Sequence, residues 1–194
     1  MRFTNALRRT FAIDLTFAGT PEQVFPLLCP VREYDWIPGW SCAMVYSESG
    51  VAELGCVFRT GPDAGNEVWT VSRYEPNQAI EFVRVIADTW VVLMRLALAP
   101  AGPDPAATPT TPTTPAAPTT PATPTTPTTP TTTVRVTHTY TALSPRGTTA
   151  VGEVNAEEHD AQWRRLAKLA SHYVTTKTML RPEKKQEQQR GRAD

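Results

Sequence analysis

Three histidines, His138, His159 and His172, are the first candidates for chemistry in this chain. Val134, Val136, His138 and Tyr140 alternate with Arg135, Thr137, Thr139 and Thr141. That alternation is the strand period, and the valines turn their own face, with His138 and Tyr140 on it, toward the interior. An inward histidine titrates near neutrality and suits general acid or base work, and Tyr140 suits the orientation of a substrate carbonyl. The same pair also reads as a core histidine and tyrosine with locally satisfied polar atoms. No third group in the sequence completes a catalytic constellation.

His159 and His172 lie 13 residues apart, on different faces of a helix, and cannot share a metal ion. His159 can face His138 across an interior, but two histidines without a placed carboxylate or thiolate make a poor metal site, so no metal is expected. Glu33 and Asp35 sit in a short aromatic connector and read either as a catalytic carboxylate at a cavity mouth or as a solvated turn. Arg84 follows Ile80 and Phe82 at strand spacing. If that face is concave, Arg84 is a buried cation seeking a carboxylate or an acidic ligand. The segment 78–86 is apolar on both faces, so its pattern leaves the choice open. Cys29, Cys42 and Cys56 are odd in number and widely spaced, which suits free thiols better than a disulfide framework or a zinc site.

Several chemistries are excluded by what is missing. The 194 residues contain no G-x-G-x-x-G after a strand, no phosphate-binding G-x-x-x-x-G-K-[ST] and no G-x-S-x-G elbow. Basic and acidic residues number 19 each, and the basic ones do not cluster with aromatics, so nucleic acid is not an expected partner. The start, MRFTNALRRT, lacks the apolar run of a signal peptide, and no stretch approaches the ~18 apolar residues of a membrane span. The chain reads as cytoplasmic, with no membrane insertion and no cofactor.

These candidates need elements to hold them. Residues 10–17 read as a strand. Thr20, Pro21 and Gln23 then give a capped helix start, with Val24, Leu27 and Leu28 on one face and Pro30 as the stop. VREYDWIPGW is a bent, unusually aromatic connector. Period-two runs at 41–49, 55–60, 66–74, 78–86, 90–99 and 132–143 predict an antiparallel meander with turns about every ten residues. Residues 155–178 predict the longest helix. Its inner face carries His159, Trp163, Leu166, Ala167, Ala170, Tyr173 and Val174, and its outer face Asp160, Arg164, Arg165, Lys168, Ser171 and His172.

Residues 99–133 are almost only Pro, Thr and Ala, with proline at every third position from Pro109 to Pro130. Polyproline II has three residues per turn, so these prolines line one face of a rod that reaches roughly 65 Å at ~3.1 Å per residue. The segment reads as a disordered insertion at a hairpin tip, or as a docking site for a proline-binding protein. It interrupts one domain, 10–180, rather than dividing two. The tail 181–194 is polar and expected to be disordered.

Order and pattern together give an α+β fold, a curved antiparallel β-sheet wrapped around a long C-terminal α-helix with a short N-terminal helical segment. The opening TFAIDLTFAGTPEQVFPLL, the connector YDWIPGW, the pair NEVWTVSRYEPNQAIEFVRV and the run TVRVTHTYTAL before the last helix resemble the START-like (SRPBCC) superfamily of polyketide cyclase/dehydratase and lipid-transfer proteins. The resemblance covers about 10–98 and 133–180 and implies a helix-grip fold with a hydrophobic ligand cavity.

The expected function is binding or transport of a small hydrophobic ligand, lipid-like or aromatic and polyketide-like. Trp36, Trp40, Phe58, Trp69, Met94, His138, Tyr140, His159 and Trp163 are the expected contacts. One alternative is a cyclase/dehydratase-type enzyme using His138 and Tyr140. Another is an interaction protein acting through the Pro/Thr segment.

Overall fold

The computed structural model describes residues 5–61, 66–101 and 129–181. The predicted polyproline rod as far as residue 128, and all but the first residue of the polar tail, lie outside the described residues.

The chain opens with strand β1 (Arg8–Ala18) and turns at Gly19 into the four-residue helix α1 (Pro21–Val24). The capping signals act as predicted here: Pro21 takes the first helical position, and Gln23 Oε1 accepts from the Thr20 N–H at 3.0 Å. The predicted longer helix does not form. A 3-10 turn over Phe25–Leu28 replaces it, because Pro26 has no N–H to extend an α ladder. A second 3-10 turn, Arg32–Asp35, starts the aromatic connector.

Strands β2 (Ala43–Tyr46), β3 (Val57–Thr60), β4 (Glu67–Glu75), β5 (Ala79–Ile86), β6 (Trp90–Pro100) and β7 (Thr131–Ala142) follow. The sheet order is β1-β7-β6-β5-β4-β3-β2, with every pair antiparallel. The meander therefore closes by adding the first strand to the last. β6 and β7 pair as far as Pro100 opposite Thr132, so ladder pairing continues into the Pro/Thr-rich flanks.

One element has no counterpart in the sequence reading. Helix α2 (Pro145–Glu153) is capped by Ser144, whose Oγ accepts from Gly147 N at 3.1 Å. A Cβ on Gly147 would lie 1.8 Å from the Thr89 carbonyl oxygen, so only glycine lets α2 approach the β5–β6 turn. Arg9 Nη1 donates to the carbonyls of Val151, Gly152 and Val154 at 3.2, 2.8 and 3.0 Å. A cation there satisfies the orphan carbonyls of the helix end and suits its dipole.

The long helix α3 (Ala156–Thr176) starts at Asn155, whose side chain accepts from Glu157 N at 2.8 Å and Glu158 N at 3.4 Å. Its buried residues are His159, Ala167, Leu169, Ala170 and Val174. Leu169, assigned to neither predicted face, is buried; Ser171, expected outside, accepts from the Ala18 N–H at 3.0 Å, and Arg165, also expected outside, borders the cavity. The helix lies across the concave face and packs chiefly on β1. Phe17, Val24, Ile80, Leu96, Val134 and Val136 form the most deeply buried part of the shared core. No described helix is long and apolar enough to cross a membrane.

Candidate functional site

Where α3 stands off the sheet, two adjoining spaces remain. The larger is about 610 Å³ and the smaller, apolar apart from Glu33, about 60 Å³. Glu33, Trp40, Trp69, Met94, Trp163 and Leu166 line both. The concave strands supply Trp69, Arg84, Met94, His138 and Tyr140, α3 supplies His159, Trp163 and Leu166, and the connector supplies Glu33 and Trp40. The geometry resolves the ambiguous strand: Phe82 and Arg84 of β5 both face the interior.

All nine residues expected to contact ligand border one of these spaces. Trp36 and Phe58 border the smaller one, and both are 3% exposed. Trp36 is held by its indole N–H, which donates to the Leu27 carbonyl at 3.1 Å, and Phe58 stacks on Trp69 at 5.6 Å. His138, Tyr140 and His159 border the larger space, and Trp40, Trp69, Met94 and Trp163 border both. The Trp40 N–H donates to the Pro30 carbonyl at 2.8 Å, which pins the connector over the cavity.

His138 and His159 do not face each other across the cavity as expected. They touch, with Nδ1 of His138 and Nε2 of His159 2.8 Å apart. His159 Nδ1 lies 3.1 Å from Asp160 Oδ1, and Arg164 Nη2 donates to Asp160 Oδ2 at 3.4 Å. Arg164, Asp160, His159 and His138 thus form one chain of contacts from the surface to the cavity wall. Asp160, predicted as an outer-face residue, holds the middle of it.

A second polar chain lies on β3–β5. The Trp69 N–H donates to Thr60 Oγ1 at 2.8 Å, and the Thr60 hydroxyl donates to Glu67 Oε2 at 2.9 Å. The same carboxylate oxygen lies 3.6 Å from Arg84 Nη1. The guanidinium sits 5.1 Å from the Trp69 ring centroid and 5.8 Å from that of Trp90. Its buried Nε has no partner among the described residues.

No family model and no curated protein matches the chain. Among solved structures it is similar to a truncated norcoclaurine synthase from Thalictrum flavum, with a TM-score of 0.56 and 10% identity, over 91% of this chain and 99% of that one. It is also similar to CalU16 from Micromonospora echinospora, with a TM-score of 0.49 and 12% identity, over 90% and 88% of the two chains. The chain has the helix-grip fold. That is the fold the sequence resemblance implied, and the likeness to these structures is one of fold alone.

The helix-grip cavity is electrostatically unusual. Burial pushes the Glu33 carboxyl up to about 8. Glu33 is half-buried and borders both spaces, so of the two readings that the sequence allowed, a carboxylate at the cavity mouth fits its position and a solvated turn does not. Asp35, two residues on, fits that description instead, pairing at 3.1 Å with Arg32 on the surface. Burial pushes His138 down to about 3, reinforced by the His159 and Arg84 charges. Burial raises Tyr140, against the pull of Arg84. Near neutrality Glu33 is therefore largely a protonated, donating acid and His138 a neutral imidazole.

Sequence reasoning undervalued Glu33, although Trp36, buried in the same connector, signalled that part of it turns inward; Tyr34 stays exposed. All three cysteines are free thiols. Among the described residues no three His, Cys, Asp or Glu side chains come close enough to hold a metal ion.

Proposed function

We propose that the helix-grip cavity binds a small, mainly apolar molecule, lipid-like or flat and aromatic like a polyketide. The observation that carries this reading is a space of about 610 Å³ walled on one side by Trp40, Trp69, Met94 and Trp163 and on the other by Arg84, His138 and Tyr140. A volume of this size suits a small organic ligand: the aromatic side and the adjoining apolar space would hold its apolar body, while the polar side, which also carries Glu67, Glu158 and Arg165, would orient its polar groups. The fold neighbour from Thalictrum is named for a synthase activity. That name supports the view that such a fold accommodates chemistry, and assigns none to this chain. Three free thiols suit a reducing compartment, in keeping with a cytoplasmic location.

The test is a calorimetric and thermal-shift screen of naphthalene-sized aromatics and of fatty acids, with mass spectrometry of material that co-purifies. Saturable stabilisation by one class supports the reading, and none by either overturns it.

A second reading has an observation of its own in its favour. Glu33, protonated near neutrality, borders the same cavity as His138 and Tyr140 and could donate its proton to a carbonyl substrate of the cyclase/dehydratase type, with the neutral His138 as a hydrogen-bonding partner. Tyr140 would orient the carbonyl. Turnover of a polyketide-like poly-β-carbonyl substrate, lost in Glu33→Gln and His138→Asn, is the result this reading expects. Unchanged decay of the substrate with and without protein would sink it.

A further inference from the structure

The outer face of the sheet carries a pattern that solvent alone does not explain. Phe58, Trp69, Phe82, Arg84 and Met94 face the cavity side, and Val92 packs there with Tyr140. Their chain neighbours Val57, Val68, Val83, Val85, Val91 and Leu93 therefore point the other way. The register joins these six into one patch. Val68, Val85 and Val91 lie side by side in one row, and Val57, Thr70, Val83 and Leu93 in the next. Val68 is 37% exposed and the other five aliphatic side chains are half-buried. None of the six belongs to the core or packs against it. The helices pack on the opposite face, with Val24 of α1 and Ala170 of α3 in the main core and Val151 of α2 against Val92 and Tyr140.

The other half of the same outer face looks as a solvated face should. Glu81 pairs with Arg95, and Arg135 Nη1 donates to Asp14 Oδ2 at 2.8 Å. The aliphatic half has no charge between Arg59 at one end of its row and Arg8 at the other. Antiparallel strands with one solvated face alternate apolar with polar, whereas strands covered on both sides are apolar throughout. At these positions β5 and β6 follow the second pattern, which is why the segment 78–86 reads as apolar on both faces. The patch also continues toward the free edge of the sheet, where Val45 and Tyr46 of β2 are 57% and 56% exposed.

We propose that this face is the interface of a homodimer, in which the outer sheets of two copies pack face to face. A surface of aliphatic and threonine side chains offers no charge pattern for a different partner to match, and none that repels its own copy. Basic and acidic residues are equal at 19 each, so two copies meet without long-range repulsion. At ~4.8 Å between strands and ~3.4 Å per residue, the apolar patch over β2–β6 covers roughly 300 Å², a size at which an exposed patch is often functional. With Thr10, Thr70, Thr139, Thr141, Arg8 and Arg59 at its rim, the face offers roughly 500 Å² per copy, near the ~1,000 Å² total of the smallest specific interfaces. The dimer is therefore a weak, reversible one.

The test is sedimentation velocity of the full chain from about 1 to 200 μM, where a monomer–dimer equilibrium with a micromolar dissociation constant is expected. Val85→Lys, at the middle of the patch, should weaken association at least about tenfold, because each copy would bury an ammonium group without a partner. Should that variant fail to fold, the double variant Val85→Thr with Val91→Thr decides. It keeps the β-branched shape and should weaken the dimer several-fold, with an unfolding midpoint close to that of the native monomer. Ala97→Glu, opposite Arg135 on the charged half of the face, should leave the dimer as it is.

A native chain that stays monomeric throughout the range overturns the proposal. Association that appears only after deletion of 102–128 also overturns it, since the chain's own Pro/Thr segment would then take the place of the second copy. A dimer that both patch variants leave unchanged overturns it as well, because its interface would lie on another surface.

Discussion

The two halves of α3 treat the sheet differently. The C-terminal half presents Ala167, Ala170 and Val174, which are buried, and Ser171 bonds the backbone of β1 directly. A Cβ on Gly19 would fall 2.7 Å from Val174 Cγ1, so helix and turn are in close contact there. The N-terminal half presents His159, Trp163 and Leu166, and behind them lies the cavity. Small residues let a helix close onto a sheet, while large ones with polar tips hold it away. The contrast teaches that side-chain size along one helix helps to set where the cavity lies, with Leu169 at the boundary between the two halves.

The sharpest way to break this contrast is to add volume to each half. Ala170 is 1% exposed, and Ala170→Leu should destabilise by about 3 kcal/mol, because the extra atoms have no room without backbone shifts. Thermal unfolding should fall by roughly 5–10 °C. Leu166→Phe adds volume to the other half and should change stability by less than about 1 kcal/mol, since the new atoms enter the cavity. Equal losses in the two variants would show that the N-terminal half is as tightly packed as the C-terminal one.

The next largest effect is electrostatic and belongs to the cavity half alone. Glu33 goes from 4.5 in the unfolded chain to about 8 in the fold, so the folded state holds the extra proton between those values and stability falls as pH rises through them. His138 goes from 6.5 unfolded to about 3 folded, so the unfolded state holds the extra proton and stability rises with pH over that range. The two slopes oppose each other between 4.5 and 6.5. Above 6.5 only the Glu33 slope remains, up to about 8. Across that window it amounts to at most about 2 kcal/mol, reduced by the access Glu33 keeps to the cavity. Chemical denaturation of Glu33→Gln should show no such alkaline decline. An unchanged decline would place the ionising group elsewhere.

How far all this was legible beforehand differs by element. The strands and α3 announce themselves, because period-two runs and an Asn155-capped amphipathic stripe are local signals that packing reinforces. Helix α2 does not. Ser144 and Pro145 mark its start, but Arg-Gly-Thr-Thr-Ala-Val-Gly has two glycines and no apolar stripe, and what holds it is tertiary: the Gly147 approach to Thr89 and the Arg9 cap. The candidate site divides the same way. Strand alternation places His138 and Tyr140 on the wall, and architecture brings the tryptophans there. The His138–His159 contact, the part played by Asp160 and the volume itself depend on how far α3 stands from the sheet, which no local pattern encodes.

Filling the cavity separates binding from stability. Met94 borders both spaces, and Met94→Trp should weaken binding of a naphthalene-sized probe at least about tenfold, since the larger side chain occupies the ligand's volume. Stability should move by less than about 1 kcal/mol, as expected when added atoms fill existing space. Unaltered probe affinity, measured by quenching of the cavity tryptophans, would place the ligand outside this space.

The smallest expected effect comes from the residue most easily confused with Glu33. Asp35 shares the 3-10 turn with it, but the turn sends the two carboxylates opposite ways. Glu33 goes into the cavity, and Asp35 meets Arg32 at 3.1 Å, with side chains 49% and 39% exposed for Arg32 and Asp35. An exposed pair of this kind is worth under about 0.5 kcal/mol, because solvent screens it and two long side chains lose freedom to hold it. Asp35→Asn should therefore leave the unfolding midpoint, its pH profile and probe affinity all within error of the native chain. If it instead removed the alkaline decline, the cavity carboxyl would be Asp35, and the acid end of the site would belong to the other carboxylate of the same turn.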